Sequence, residues 1–366
     1  MSSTLPRWVE IGLIPLINLA LALLVAGLVV AAIGEDPLLA LSVLIKGAFL
    51  YDGALGYTLY YTTNFIFTGL AVAVAFHAML FNIGGEGQAM LGGLGITLVC
   101  LAVDPFLPGV LVIILAIGGA AVFGGLWALI PGYLQAYRGS HIVITTIMFN
   151  FIASGLLVWL LGGMLMGDGQ GSPQSRFFAD GAVLPKIHEI AGALGIKVGS
   201  SPLNLSIVLV GIACIGVWIL IWRTKFGYAL RAMGHSEPAA EYAGIPVRRM
   251  IVIAMLISGA LAGCMALNII LGDQRKLVLN FSAGFGFTGI AVALMGRNHP
   301  VGIVMAGLLF GALTQGGSEL DFEFKSITRE MVLVIQGLII LFSGALAHMF
   351  VPWLVRIFAR RSMGHA

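Results

Sequence analysis

The chain has 366 residues, of which 59% are hydrophobic and 10% charged, with a formal net charge of +3. A soluble domain carries roughly 25% charged residues, so composition excludes a water-soluble globule and points to an all-α bundle that crosses a membrane many times. The small net charge says nothing useful about nucleic acid, but no basic, aromatic-interleaved stretch is present and no nucleic-acid partner is expected.

Hydropathy predicts ten crossings, at 11–34, 56–80, 86–103, 108–131, 141–163, 204–222, 250–272, 283–296, 300–317 and 331–355, each read as helix across a core of roughly 30 Å. The first run continues into GEDPLL with no small-residue cleavage site, so it reads as a membrane helix and not as a signal peptide. Trp8, Trp159, Trp222 and Trp353 lie near predicted span ends, as interfacial anchors do.

The second crossing leads into FNIGGEGQ (Phe81 to Gln88), where glycines break the helix among Asn82, Glu86 and Gln88. Glu86 has two readings. An acid at a cytoplasmic helix start is favoured by the helix dipole. An ionisable group at membrane depth is costly and tends to be functional. Asn82 and Gln88 share the ambiguity. In HIVITTIMFN, the residues Thr145, Thr146 and Asn150 lie on a predicted helix and either line a cavity or bond back to their own backbone.

Residues 164–203 form the longest outside segment, with a surface helix around Lys186 to Leu194. Lys and Arg set the orientation. Arg223, Lys225, Arg231, Arg248 and Arg249 place 223–249 in the cytoplasm; Arg7, Arg138, Arg297, Arg356, Arg360 and Arg361 then fall on the same side, with both termini cytoplasmic. Within that loop Ser236 predicts an N-cap, Glu237 and Pro238 a first turn, Ala239 to Ala243 a helix, and Gly244 its C′ position before Pro246. The segment is either a solvated loop whose charges merely set orientation or a coupling helix inserted into a partner protein, and so complete a set of caps favours docking.

FIFTGLAVA (Phe65 to Ala73) and FGFTGIAVA (Phe285 to Ala293) match at seven of nine positions. Read as copies of one repeat, they run in the same direction. Both lie beside short, glycine-interrupted crossings, which are the sequence pointer to a transport path: unwound backbone exposes groups that a cavity satisfies and lipid does not. Cys100, Cys214 and Cys264 are isolated, with no CxxC or Cys/His spacing, so no disulfide, metal or cofactor is expected. No GxxxxGK[ST], HExxH or GxSxG occurs, so any ATPase is another subunit.

FNIGGEGQ, ITTIMFN, LRAMGHSEPAAEYAGI, SGALAG (Ser258 to Gly263) and GFGFTGIAVALMGRNHPVG together resemble the permease subunit of bacterial ABC importers. The family serves branched-chain amino acids, ribose-like sugars and nucleosides, and the text is most similar to its nucleoside branch. The resemblance implies a single transmembrane permease domain over 1–366, in the bacterial cytoplasmic (inner) membrane and its lipid. Its partners would be a second, paralogous permease, an ABC ATPase subunit and an extracytoplasmic solute-binding protein. By position, Asn82, Glu86, Gln88, Thr145, Asn150, Phe285, Phe287 and Thr288 would lie along the translocation path. Arg231, Gly234, Ser236, Ala239, Ala240 and Gly244 would couple it to the ATPase. One departure stands out: family members often carry an acid after the residue at His141, where this chain has Ile142. The alternatives are an ABC permease for a simple sugar such as ribose, or an ion-coupled secondary transporter with Glu86 as its one candidate ion site.

Overall fold

The computed structural model describes residues 9, 13–167, 169 and 171–345. Arg7, Trp8, Trp353, Arg356, Arg360 and Arg361, used above for orientation and anchoring, lie outside the described residues. The described residues are helical apart from connecting segments and two isolated β-bridges, and fall into two compact units, one from residue 52 to 311 and one joining the residues before it to those after it.

In the smaller unit, α1 (Ile14–Ile33) and α2 (Pro37–Phe49) meet at a 120° bend. The sequence builds the corner. Gly34 takes a left-handed conformation at φ 96, Asp36 caps α2 by accepting the Leu38 N–H at 2.8 Å, and Pro37 supplies the fixed φ of the first helical residue. The expected first crossing is thus half of a broken pair. α2 was not expected at all, because its 13 residues are too short to register as a span and include Lys46.

The larger unit holds α3 (Ala54–Phe76), α4 (Gly85–Val103), α5 (Gly109–Arg138), α6 (Ile142–Leu161), α7 (Ile187–Ala193), α8 (Ser206–Arg223), α9 (Lys225–His235), α10 (Glu237–Tyr242), α11 (Val247–Ala266) and α12 (Phe285–Met295). α11 runs on as a π-helix over Leu267–Gln274. Glycine allows the inner helices to touch backbone to backbone. A Cβ on Gly263 would meet Ala120 and Gly124 of α5; one on Gly92 of α4 would meet Gly263 itself; one on Gly259 would meet Gly124 and Ala128. SGALAG is therefore a packing stripe where α4, α5 and α11 converge, association by close van der Waals contact.

Seven described helices are long and apolar enough to cross a membrane alone, and the α1–α2 pair makes eight if counted as one span, so the chain is a multi-pass membrane protein. The expected crossing at 283–296 is α12, only 11 residues long, about 16 Å at 1.5 Å per residue, and too short to span. α13 (Pro300–Glu323) and α14 (Arg329–Ala345) follow; the crossing expected at 331–355 is described only as far as Ala345.

Candidate functional site

The site is built where two helix starts meet. α4 begins at Gly85 and α12 at Phe285, and a Cβ on Gly286 would strike the backbone of Gly85 and Glu86. Glu86 is 6% exposed. One of its carboxylate oxygens accepts the Gly284 N–H at 2.9 Å and the other the Gly286 N–H at 2.8 Å. It sits in the first turn of α4 and caps the start of α12, so the positive ends of two helix dipoles converge on one carboxylate.

The rest of FNIGGEGQ is fastened equally closely. Asn82 and Gln88 exchange two side-chain hydrogen bonds at 3.0 Å. Asn82 also accepts the Gly84 N–H and donates to Ser258 Oγ at 2.9 Å, and that hydroxyl donates to the Ala71 carbonyl of α3. Asn150 on α6 accepts the Gly87 N–H at 2.9 Å and donates to the Ile83 carbonyl at 3.0 Å. The unwound stretch before α4 thus has its polar groups satisfied by side chains, the condition under which non-helical backbone persists inside a membrane protein. Thr146 is buried and bonds back to Ile142; Thr145 bonds to His141 and Ser140 beside it.

α12 sets the depth of this cluster. Its far end, the Gly296–His299 turn, is held by His77, whose Nε2 lies 3.1 Å from the Asn298 carbonyl. His77 in turn lies against Gly234 of α9. Glu86 is one α12 length, about 16 Å, away from that end. Glu86 stands in the first turn of α4, as an acid at a helix start does, and also caps α12.

The two copies of the nine-residue motif pack side by side and in parallel. Their first residues, Phe65 and Phe285, pair with ring centroids 5.2 Å apart; a Cβ on Gly289 would meet Thr68, and one on Gly69 would meet Val292. Thr68 and Thr288 each bond back four residues, to Asn64 and Gly284. Phe65 further pairs with Phe310, and Phe285 with Tyr61. Phe287 is 47% exposed, and Phe285 and Thr288 are half-buried. The buried atoms Asn64 Nδ2 and Ser282 Oγ, one and three residues before the two motifs, have no hydrogen-bond partner among the described residues.

A second polar cluster escapes the sequence reading. Asn268, on the π-helical end of α11, donates to the Tyr60 carbonyl and Asn64 Oδ1, and accepts from Asn204 and Ser206. Its signal, like that of Ser258, is a lone polar residue in an apolar helix. Near it the 164–203 segment docks on the stretch after α11: Phe178 N–H donates to Arg275 O, and Leu184 N–H to Leu271 O. Asp104 at the end of α4 binds Arg176 through both carboxylate oxygens at 2.7 and 2.9 Å.

α10 forms as the caps predict, while α9, which precedes it, is not among the expected elements. Ser236 Oγ accepts the Ala239 N–H. α10 closes with the paired bonds of a Schellman motif, Gly244 N–H to Glu241 O and Ile245 N–H to Ala240 O, with Gly244 at φ 81. Ala240 is buried on the underside, Ala239 is exposed, and Tyr242 is 97% exposed at the tip. Arg231 Nε lies 3.4 Å from the Gly227 carbonyl. Beneath α10 a pocket of about 340 Å³ is lined by Phe81, Gln135, His141, Ser236 and Glu237, among others.

Residues 54–344 match the family described as branched-chain amino acid transport system / permease component. The chain is 37% identical over 335 residues to the guanosine ABC transporter permease protein NupP of Bacillus subtilis, covering 90% of this chain and 92% of that one. It is 33% identical over 340 residues to the glucose ABC transporter permease protein TsgB13 of Haloferax volcanii, covering 93% and 88%. Against the nucleoside ABC transporter permease protein NupB of Lactococcus lactis subsp. cremoris, identity is 31% over 334 residues and 90% of each chain.

Proposed function

The chain belongs to the branched-chain amino acid transport system permease family, and from that premise we propose that it forms the translocation path of an ABC importer for a nucleoside. As a permease component it has no ATPase site of its own; it works with an ATPase and a solute-binding partner. The observation that carries the nucleoside reading is the 37% identity to a guanosine permease along nine-tenths of both chains. A simple sugar is the second reading, because the likeness to a glucose permease is as extensive.

In this reading α12 is the path wall. Phe287, half-exposed Phe285 and Thr288 face the solute, and apolar rings suit the flat face of a base. Asn64 and Ser282, with unused hydrogen-bonding capacity, suit its polar edge. Asn82, Glu86, Gln88 and Asn150 hold that wall in place with polar atoms already engaged by the protein. Thr145, bonded to its own helix, is the weakest of the path assignments. Exposed α10 docks on the ATPase, a second, paralogous permease completes the path, and both termini face the cytoplasm of a bacterial inner membrane.

Purification from the native host in mild detergent tests the assembly, and uptake into proteoliposomes tests the solute. An ABC ATPase co-purifies, and labelled guanosine accumulates with ATP and is displaced by other nucleosides but not by glucose. No co-purifying ATPase, with uptake that persists without ATP, would overturn the importer reading; displacement by glucose alone would select the sugar.

A further inference from the structure

The GRNHP turn after α12 is unused by the proposed path, yet it is linked to the docking arm through His77, and Trp222 at the end of α8 packs against both His77 and His299. Gly234, near the end of α9, lies so close to the His77 carbonyl that a Cβ there would collide with it. The His77 ring then reaches across to the turn, with Nε2 3.1 Å from the Asn298 carbonyl. Because a carbonyl only accepts, Nε2 carries the proton in this contact. Burial pushes the imidazole below its ordinary pKa, which favours the neutral ring, and that ring donates through its Nε2–H. At the root of the arm, Trp222 sits edge-on to His77 with ring centroids 5.2 Å apart and lies 4.8 Å from His299.

The turn itself is under strain. Arg297 and Asn298 both adopt left-handed conformations, at φ 53 and φ 54, a region that non-glycine residues seldom occupy and that persists where surrounding contacts enforce it. Their amides close the end of α12 onto Leu294 and Ala293. The buried Asn298 Oδ1 has no hydrogen-bond partner among the described residues. α12 is thus gripped at one end by Glu86 and at the other by His77.

We propose that His77 is a positioning residue that passes movement of the α9–α10 arm to the Gly296–Pro300 turn, so that α12 moves against its anchor on Glu86. This rests on the reading of α10 as the ATPase docking element. A short helix moves as one body when the turn at its end shifts, and small helix shifts of this kind carry a displacement at one site to another. His77 touches no solute in this scheme; it transmits.

The test uses the complete importer in proteoliposomes, measuring ATP hydrolysis and accumulation of labelled guanosine, or of glucose if that is what the wild type takes up, in the same vesicles. His77→Phe keeps the ring and removes the donor. Hydrolysis is expected to stay within about twofold while uptake falls about tenfold or more, so that solute moved per ATP collapses. His77→Gln, which restores a donor, recovers most of that ratio, and Gly234→Ala, which pushes the arm off His77, reproduces the loss. A spin label at exposed Arg297 reports the turn directly: its mobility changes on vanadate trapping of the wild type and does not in His77→Phe. Should His77→Phe prove unable to assemble, the Gly234→Ala ratio and the Arg297 label in that variant decide the matter. Normal solute per ATP in both variants, or an Arg297 label that responds in both, would overturn the relay. The docking reading fails separately, if Gly244→Val leaves ATPase binding and uptake at wild-type levels.

Discussion

At the scale of single residues, Glu86 organises the interior. Two backbone N–H groups of α12 converge on its two oxygens at 2.9 and 2.8 Å, and charged acceptors make the stronger hydrogen bonds. Glu86→Gln keeps the shape but turns an NH2 group toward one of those donors. The expected cost is about 1–3 kcal/mol, the usual penalty for leaving a buried polar group unpaired. The detergent-solubilised protein should therefore lose its monodisperse peak at a lower temperature than wild type, with uptake reduced at unchanged membrane abundance. Unaltered melting would show that the two N–H groups find another acceptor. None of this was legible in FNIGGEGQ alone. The sequence marked Glu86 as unusual, but its partners lie 198 and 200 positions away, and hydropathy carries no information about which helix end a carboxylate will cap.

At the scale of elements, local chemistry proved the better guide. α10 was readable to within a residue because each of its signals is a short-range device: a serine cap, proline in the first turn, glycine where φ is 81. That reading makes a clear prediction. Gly244→Val forces a β-branched side chain into the left-handed region, so it should unseat the α10 end, lower ATPase retention on affinity purification several-fold and leave membrane abundance unchanged, whereas Gly244→Asn should be tolerated. α7 falls within the surface helix expected around Lys186 to Leu194. Span count was harder: α12 is as apolar as a crossing but half the length, and only tertiary support on α3 and α4 explains why so short a helix persists. The repeat was visible as text, but its meaning was not. Gly69 and Gly289 sit at the crossing of the two copies, so Gly289→Leu should drive α12 off α3 and abolish assembly, seen as loss of the folded peak in size-exclusion chromatography. The same change at Gly155, whose added Cβ would meet nothing within 4 Å, should be silent.

At the scale of the whole molecule, the larger unit closes its far face by binding the 164–203 segment back onto the helix ends. Asp104, whose side chain is fully buried, pairs with Arg176 through both oxygens, Arg275 lies 3.5 Å from Asp180, and Lys186 lies 3.9 Å from Asp273. The exposed Arg275–Asp180 pair contributes little and the Lys186–Asp273 pair is long at 3.9 Å, so among these ion pairs the two-oxygen Asp104 contact is the strongest. The hydrogen bond from Arg176 holds the Asp104 carboxyl below its ordinary pKa of 3.8. A carboxylate depressed in the folded state stabilises above its unfolded value and loses that stabilisation as pH falls through the folded one. Between pH 7 and 5 this fastening is therefore constant, and it weakens only below pH 3.8. A spin label on Ser172→Cys, in the exposed part of the segment, should keep one mobility across the neutral range and loosen only in strong acid. In Arg176→Met the depression is gone, the carboxylate is left buried without its partner, and the label should be mobile already at pH 7, about as mobile as wild type in strong acid. A wild-type label that loosens between pH 6 and 5 would assign the fastening to a different group, with an ordinary or raised pKa, and remove Asp104 from that role.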